Sequence, residues 1–263
     1  MPPFTLVGHS HKRMKMMRRK KGPATLAQEV ASNTTDNTAI DRENTFDQIA
    51  HAASAHVDIS IFVESVSGEY SRGLQALANI GPCVTVFGSA RTKPGDPAYA
   101  DAMQLGRQLA TAGFAVATGG GGGIMEAANR GAALGGGGSI GMPIVLPFEK
   151  SGNEFLELSV TFDHFPARKT CLIKACDAVV VFTGGFGTLD ELFEVLTLIQ
   201  TGKMNAVPII LVGSYYWSGL LDWLRTSPTA AGCIGEQDLD LMTVVDTPEA
   251  AIEAVTSQLA RRV

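Results

Sequence analysis

The stretch Thr183-Gly-Gly-Phe-Gly-Thr-Leu-Asp-Glu191 links an apolar run, 178–182, to a helical pattern through a glycine turn and ends in a carboxylate. A buried strand that empties through Gly184, Gly185 and Gly187 into a helix presents backbone N–H groups and a helix N-terminus. That arrangement binds phosphate. Thr188 adds a hydroxyl donor, and Glu191 falls one turn into the helix. A phosphate cradle has no need of a negative charge, so Glu191 has a chemical task.

Two further strand ends carry the same kind of turn. One is Gly88-Ser-Ala-Arg91, where Ser89 is a neutral donor and Arg91 a charged one. The other is Gly119, Gly120, Gly121, Gly122 and Gly123, which open a helix over 124–134. Glu126, near the start of that helix, is either a ribose or base contact or a carboxylate set against the helix dipole. The first strand lacks the GxGxxG of dinucleotide folds, and GxxxxGK[ST] is absent, so a monophosphate is the expected guest.

Strands are expected at 83–87, 114–118, 139–146, 178–182, 207–212 and 241–245, separated by helices at 99–112, 124–134, 166–175, 188–200 and 217–225. An amphipathic helix over 46–78, with a stripe of Ile59, Phe62, Val63, Val66, Tyr70, Leu74 and Leu77, precedes them. Thr247 and Pro248 fit the N-cap and first position of a last helix. The glycine run 135–138 follows a helix and reads as a connection. Such alternation predicts an α/β, Rossmann-like doubly wound parallel sheet with helices on both faces, a single domain plus an N-terminal extension. Ligands of such sheets bind beyond the carboxyl ends of the strands, so the three glycine turns converge on one crevice.

The segment 183–191 resembles the Pro-Gly-Gly-x-Gly-Thr-x-x-Glu signature of the Lonely guy (LOG) family, cytokinin-activating nucleoside 5′-monophosphate phosphoribohydrolases long labelled lysine decarboxylases. The segment 119–130 resembles that family's other glycine loop, and Arg168-Lys169 stands where its arginine lies. The resemblance implies that Arg168 and Glu191 are catalytic, with Lys169 either a substrate contact or a surface charge. It implies hydrolysis of the N-glycosidic bond of AMP or N6-modified adenosine 5′-monophosphates, releasing free base and ribose 5-phosphate. Glu191 would stabilise the oxocarbenium-like ribose and orient water. It also implies a homodimer with the site near the interface, which the broadly apolar helix 188–200 supports. Thr183 replaces the family's proline, and Pro166 stands where shorter members carry a histidine. The alternative is a non-catalytic nucleotide or molybdenum-cofactor carrier of the same fold. A lysine decarboxylase would need pyridoxal phosphate on a lysine, and no lysine sits in such a motif.

The chain of 263 residues carries a net charge of −5 that conceals an asymmetry. Seven basic residues and no acid occupy the first 21 positions, leaving 14 bases against all 26 acids in the rest. So acidic a domain is a poor nucleic-acid binder. Residues 1–45 lack periodicity and are expected to be a disordered basic and polar extension, either a solvated tail or the product of an upstream start; a transit peptide fits weakly. Residues 46–263 form the expected LOG-type domain. No apolar run approaches the roughly 20 residues of a membrane span. Cys83, Cys171, Cys176 and Cys233 show no pairing or zinc spacing, and the five histidines no ligand spacing. Buried reduced thiols, a cytoplasmic setting, no metal and no cofactor are expected.

Overall fold

The computed structural model describes residues 59–146 and 152–261. The elements are α1 (Ile59–Leu77), β1 (Cys83–Phe87), α2 (Pro97–Thr111), β2 (Ala115–Thr118), α3 (Ile124–Leu134), β3 (Ser139–Gly141) and β4 (Leu158–Ser159). Then come α4 (Phe165–Lys174), β5 (Ala178–Val181), α5 (Phe186–Gln200), β6 (Ile209–Val212), α6 (Ser214–Leu224), α7 (Glu236–Leu239), β7 (Met242–Val245) and α8 (Pro248–Ala260). The expected extension 1–45 and the first turns of the 46–78 helix lie outside the described residues.

The strands form one parallel sheet in the order β4-β3-β2-β1-β5-β6-β7. Every residue of β1, β2, β5 and β6 is buried, because a parallel sheet covered on both faces excludes water from either side of its strands. Side chains alternate across it. Val84, Val86, Val180 and Ile210 pack under α2, α3 and α8, whereas Cys83, Phe87, Val179 and Leu211 pack under α4, α5 and α6. The order reverses at β1, which lies between β2 and β5, and that switch point opens the crevice.

Two glycines let α2 and α3 touch backbone to backbone. A Cβ on Gly106 would lie 2.2 Å from the Ala128 carbonyl oxygen, and one on Gly131 would lie 2.0 Å from that of Met103. At the end of the fold, Thr247 accepts a bond from the Ala250 amide at 3.2 Å with Pro248 in the first turn, as the sequence implied.

Several boundaries differ from expectation. The third strand stops at Gly141, since Pro143 has no amide to donate, and only one bridge, Ile144 to Phe162, continues the pairing. The short β4 falls between the expected strand 139–146 and the expected helix 166–175, where the sequence predicted no strand. Helices α5 and α6 begin earlier than expected, at Phe186 and Ser214. Helix α1 turns Glu69 and Gly73 inward and packs Tyr70 and Leu77 of its expected apolar stripe on the core, but leaves Ile59, Phe62, Val63 and Leu74 exposed, so the stripe is only partly its buried face. Cys83 and Cys171 are buried free thiols, but Cys233 is exposed.

Candidate active site

At the carboxyl edge of β1 the chain turns sharply. A Cβ on Gly88 would meet Ile124 at 2.5 Å, so this glycine admits the start of α3. The Ser89 amide donates to Thr183 O and its carbonyl accepts from the Ile124 amide, both at 3.0 Å, so one residue ties all three strand ends together. The Ser89 hydroxyl accepts from the Arg91 amide at 3.1 Å.

The second glycine loop is held from beneath. Gly120 (φ +74°) donates its amide to Thr118 Oγ1 at 2.9 Å and packs on Pro143. Asn153 Nδ2 donates to Gly120 O, Gly121 O and Asn129 Oδ1 at 3.1–3.2 Å. Buried Asn129 donates in turn to Ser139 Oγ and Ile140 O, both at 3.1 Å. Gly123 (φ +65°) sits so close to Ser89 O that a Cβ would approach to 2.3 Å.

Arg168 rises from the first turn of α4 and reaches the residues just past the carboxyl ends of β2 and β3. Its Nε donates to Met142 O at 2.6 Å and its Nη2 to Gly119 O at 3.3 Å. A Cβ on Gly119 would lie 2.1 Å from Nη2, so any side chain there displaces the guanidinium. The start of α4 is itself fixed by Glu69 of α1, a carboxylate only 1% exposed. Glu69 accepts from the Asp163 amide at 3.0 Å and the His164 amide at 3.2 Å, with His164 Nδ1 at 3.0 Å. Its carboxyl is held below the usual range: those amide bonds and His164 outweigh burial, the largest single influence, which acts upward.

The Arg168 guanidinium points at Glu191, with Nη1 3.6 Å from Oε1 and side-chain exposures of 12% and 9%. Glu191 Oε2 is buried without a hydrogen-bond partner. Burial pushes the Glu191 carboxyl up to about 7, against the pull of Arg168 and Lys169. Burial likewise lowers the Arg168 value, and Glu191 opposes that shift. The site thus holds an acid poised near neutrality beside a cation.

The turn 184–188 completes the crevice. Gly185 caps α5, so the amides of Phe186, Gly187 and Thr188 in the first turn, which lines the crevice, have no intrahelical acceptor, an arrangement suited to an anion. Thr188 folds over Gly184, where a Cβ would lie 2.0 Å from its Oγ1.

Ser89, Arg91, Gly119, Arg168, Gly184, Gly185, Gly187, Thr188 and Glu191 all line this crevice of about 810 Å³. Gly120, Gly121, Gly122 and Gly123 do not; they shape the loop behind it. Glu126 is turned to Tyr99, whose hydroxyl donates to Oε1 at 2.7 Å. Lys169 pairs with Asp190 at 2.9 Å and Glu194 at 2.6 Å instead of facing the cavity. Among the described residues no lysine lines the crevice.

Sequence reasoning overlooked Met125, Phe165, Leu172, Phe186 and Tyr216, which supply apolar wall. Tyr216 follows the end of β6, so the strand-end rule that found the glycine turns covered it too. A larger cleft, about 1180 Å³, opens beside Pro82, Ile173, Leu198 and Val207 at the opposite edge of the sheet. The C-terminal turns of α4 and α5 border it, and they offer carbonyls where a phosphate needs amides.

A family model described as possible lysine decarboxylase matches residues 125–255. A probable cytokinin riboside 5′-monophosphate phosphoribohydrolase of Oryza sativa subsp. japonica is 33% identical over 142 residues, covering 52% of this chain and 61% of the relative. The cytokinin riboside 5′-monophosphate phosphoribohydrolase of Arabidopsis thaliana is 32% identical, covering 54% of this chain and 67% of that one. The chain therefore spans under two thirds of the rice relative's length. Among solved structures, the molybdenum cofactor binding protein of Rippkaea orientalis superposes with a TM-score of 0.52 at 25% identity, over 68% of this chain and 97% of that one. The molybdenum cofactor carrier protein of Chlamydomonas reinhardtii gives 0.51 at 26% identity, over 68% and 98%.

Proposed function

The chain belongs to the Lonely guy (LOG) family, and we propose that it is a nucleoside 5′-monophosphate phosphoribohydrolase acting on AMP or N6-modified adenosine 5′-monophosphates. The observation that carries this reading is the buried Glu191 carboxylate, one oxygen unpartnered, between Arg168 and the amide-rich turn.

In this reading the first-turn amides of α5, Thr188 and Arg91 hold the 5′-phosphate. That places the ribose toward Glu191. The C1′–N bond breaks with its electron pair leaving on the base, and positive charge develops at the ribose. Ionised Glu191 stabilises that charge and takes a proton from the water whose oxygen bonds to C1′. Glu191 gives that proton up to solvent, the departing base takes one up in its place, and free base and ribose 5-phosphate remain. Arg168 balances the carboxylate and keeps it ionised once substrate excludes water. Glu126 and Lys169 serve from behind, through Tyr99 and the acidic face of α5.

A carrier of molybdenum cofactor is the second reading, favoured by the similarity to the two carrier-type structures. A carrier has no evident use for a buried carboxyl near its anion site, so the enzyme is preferred. The lack of a crevice lysine among the described residues also argues against amine chemistry through a Schiff base. The protein is proposed to work as a cytoplasmic homodimer with residues 46–263 as its domain. Incubation with AMP and with an N6-alkyl AMP, followed by chromatography for free base and ribose 5-phosphate, tests the activity. No base released from either nucleotide, with tight binding of molybdenum cofactor, would establish the carrier instead.

A further inference from the structure

The turn that receives the phosphate is conformationally expensive. Three of the four residues 184–187 are glycine, and a Cβ on Gly185 or Gly187 would touch nothing within 4 Å, so packing does not immobilise them. Glycine loses more backbone freedom on ordering than any other residue. The amides therefore need tethers if they are to point at an anion before it arrives.

One tether comes from outside the turn and its neighbouring strand. The Tyr216 hydroxyl donates to Gly184 O. Tyr216 is itself rigidly placed. Gly213 (φ +99°) turns the chain into α6 and donates its amide to Val245 O at 2.8 Å. The Ser214 amide donates to Asp246 Oδ1 at 2.7 Å. The neighbouring Trp217 is fully buried, its Nε1 donates to Val212 O at 3.1 Å, and the Tyr216 ring stands edge-on to it at 4.9 Å. A phenol anchored on β6 and β7 thus reaches across the crevice mouth and grips the glycine-rich exit of β5.

We propose that Tyr216 is a positioning residue that holds the 184–188 turn in its anion-binding conformation, acting on the substrate's phosphate through Gly184. This rests on the reading that the turn receives the phosphate. The phosphate is remote from the bond that breaks, so the hydroxyl contributes equally to ground-state and transition-state binding. Its loss raises KM and leaves kcat.

A second position offers an independent way to stiffen the turn. The Thr183 amide has no hydrogen-bond acceptor among the described residues. Phe182 before it continues the pairing of β5 with β1, donating to Phe87 O at 2.9 Å, and a strand exit is where a residue before proline belongs. A proline at 183 would restrict the turn's entry without removing a bond.

The test compares wild type, Tyr216→Phe and Tyr216→Phe/Thr183→Pro, each checked for an unchanged melting temperature. For Tyr216→Phe, the KM for AMP and the calorimetric Kd for ribose 5-phosphate should rise together by about fivefold, the effect of one neutral hydrogen bond. The kcat should stay within about twofold, as should inhibition by adenosine, which lacks the phosphate. The double variant should recover most of the lost ribose 5-phosphate affinity. An unchanged Kd for ribose 5-phosphate, or an equal loss for adenosine, overturns the proposal. Wild type that binds ribose 5-phosphate without releasing base from AMP refutes the hydrolase alone, and the Kd comparison still decides the role of Tyr216. Wild type that binds neither refutes both.

Discussion

Arg168 Nη1 stands 3.6 Å from Glu191 Oε1, beyond hydrogen-bond reach, while the same guanidinium donates at 2.6 Å to Met142 O. The arginine is fixed by the sheet edge and not by the acid it faces. Glu191 is left under-solvated, and that is why its carboxyl lies near 7.

Replacement of Glu191 by Gln keeps the shape and removes the charge. Release of base from AMP should fall at least about 100-fold, as for loss of a transition-state charge partner. Calorimetric affinity for AMP should change by under about threefold, since the phosphate amides remain. Undiminished turnover would remove Glu191 from the chemistry.

The raised Glu191 value carries a definite pH signature. Its folded-state value near 7 lies above the ordinary 4.5, so between these values the folded protein keeps a proton that the unfolded chain gives up. The stabilising contribution of the neutral carboxyl is complete below about 4.5 and lost as pH rises to about 7. Glu191→Gln should therefore be more stable than wild type by on the order of 1–3 kcal/mol and melt higher, with the gap opening through that window and level above it. In wild type, kcat/KM should have an acid limb near pH 7. A gap in melting that is constant from pH 4 to 8 would contradict the assignment.

Deletion of residues 1–45 should leave melting temperature and turnover near wild type, because among the described residues the crevice is lined only by ones between Phe87 and Tyr216. Loss of most activity, or of several degrees in melting, would make the extension part of the domain.

Phe165 and Phe186 are exposed at the crevice mouth, Phe186 by 94%, and Phe193 on the outer face of α5 is only half-buried. Apolar surface of this kind beside the site supports a two-fold contact there. Light scattering at micromolar concentration should give twice the monomer mass. A monomeric mass with full activity would refute the dimer.

What the sequence disclosed was what local chemistry controls. Helix α3 has the predicted bounds because glycines flank it on both sides, and Thr247–Pro248 is a self-contained cap. The glycine turns were visible because strand ends in such sheets meet by topology, and Arg168 with Glu191 because their motifs are short and ordered. Pairings made only in three dimensions stayed hidden. Tyr99 claims Glu126, acids on α5 claim Lys169, and Glu69 is drawn inward by the amides of Asp163 and His164. A hydrophobic-stripe reading of α1 turns that buried acid outward, since it scores Glu69 as polar and cannot see the donors 94 and 95 residues away.

The reciprocal glycines of α2 and α3 have a mechanical consequence. With Gly106 against the Ala128 carbonyl and Gly131 against that of Met103, the two helices interlock as one slab, and the 119–123 loop is bolted to it. The crevice therefore has one stiff jaw and one compliant jaw. In the proposed reaction the nucleotide enters and the base leaves past the less braced side, the turn carrying Gly184 to Thr188. Of the two jaws, amide hydrogen exchange should be slower along α2, α3 and 119–123 and faster at 184–187, and a bound phosphate ligand should slow only the second.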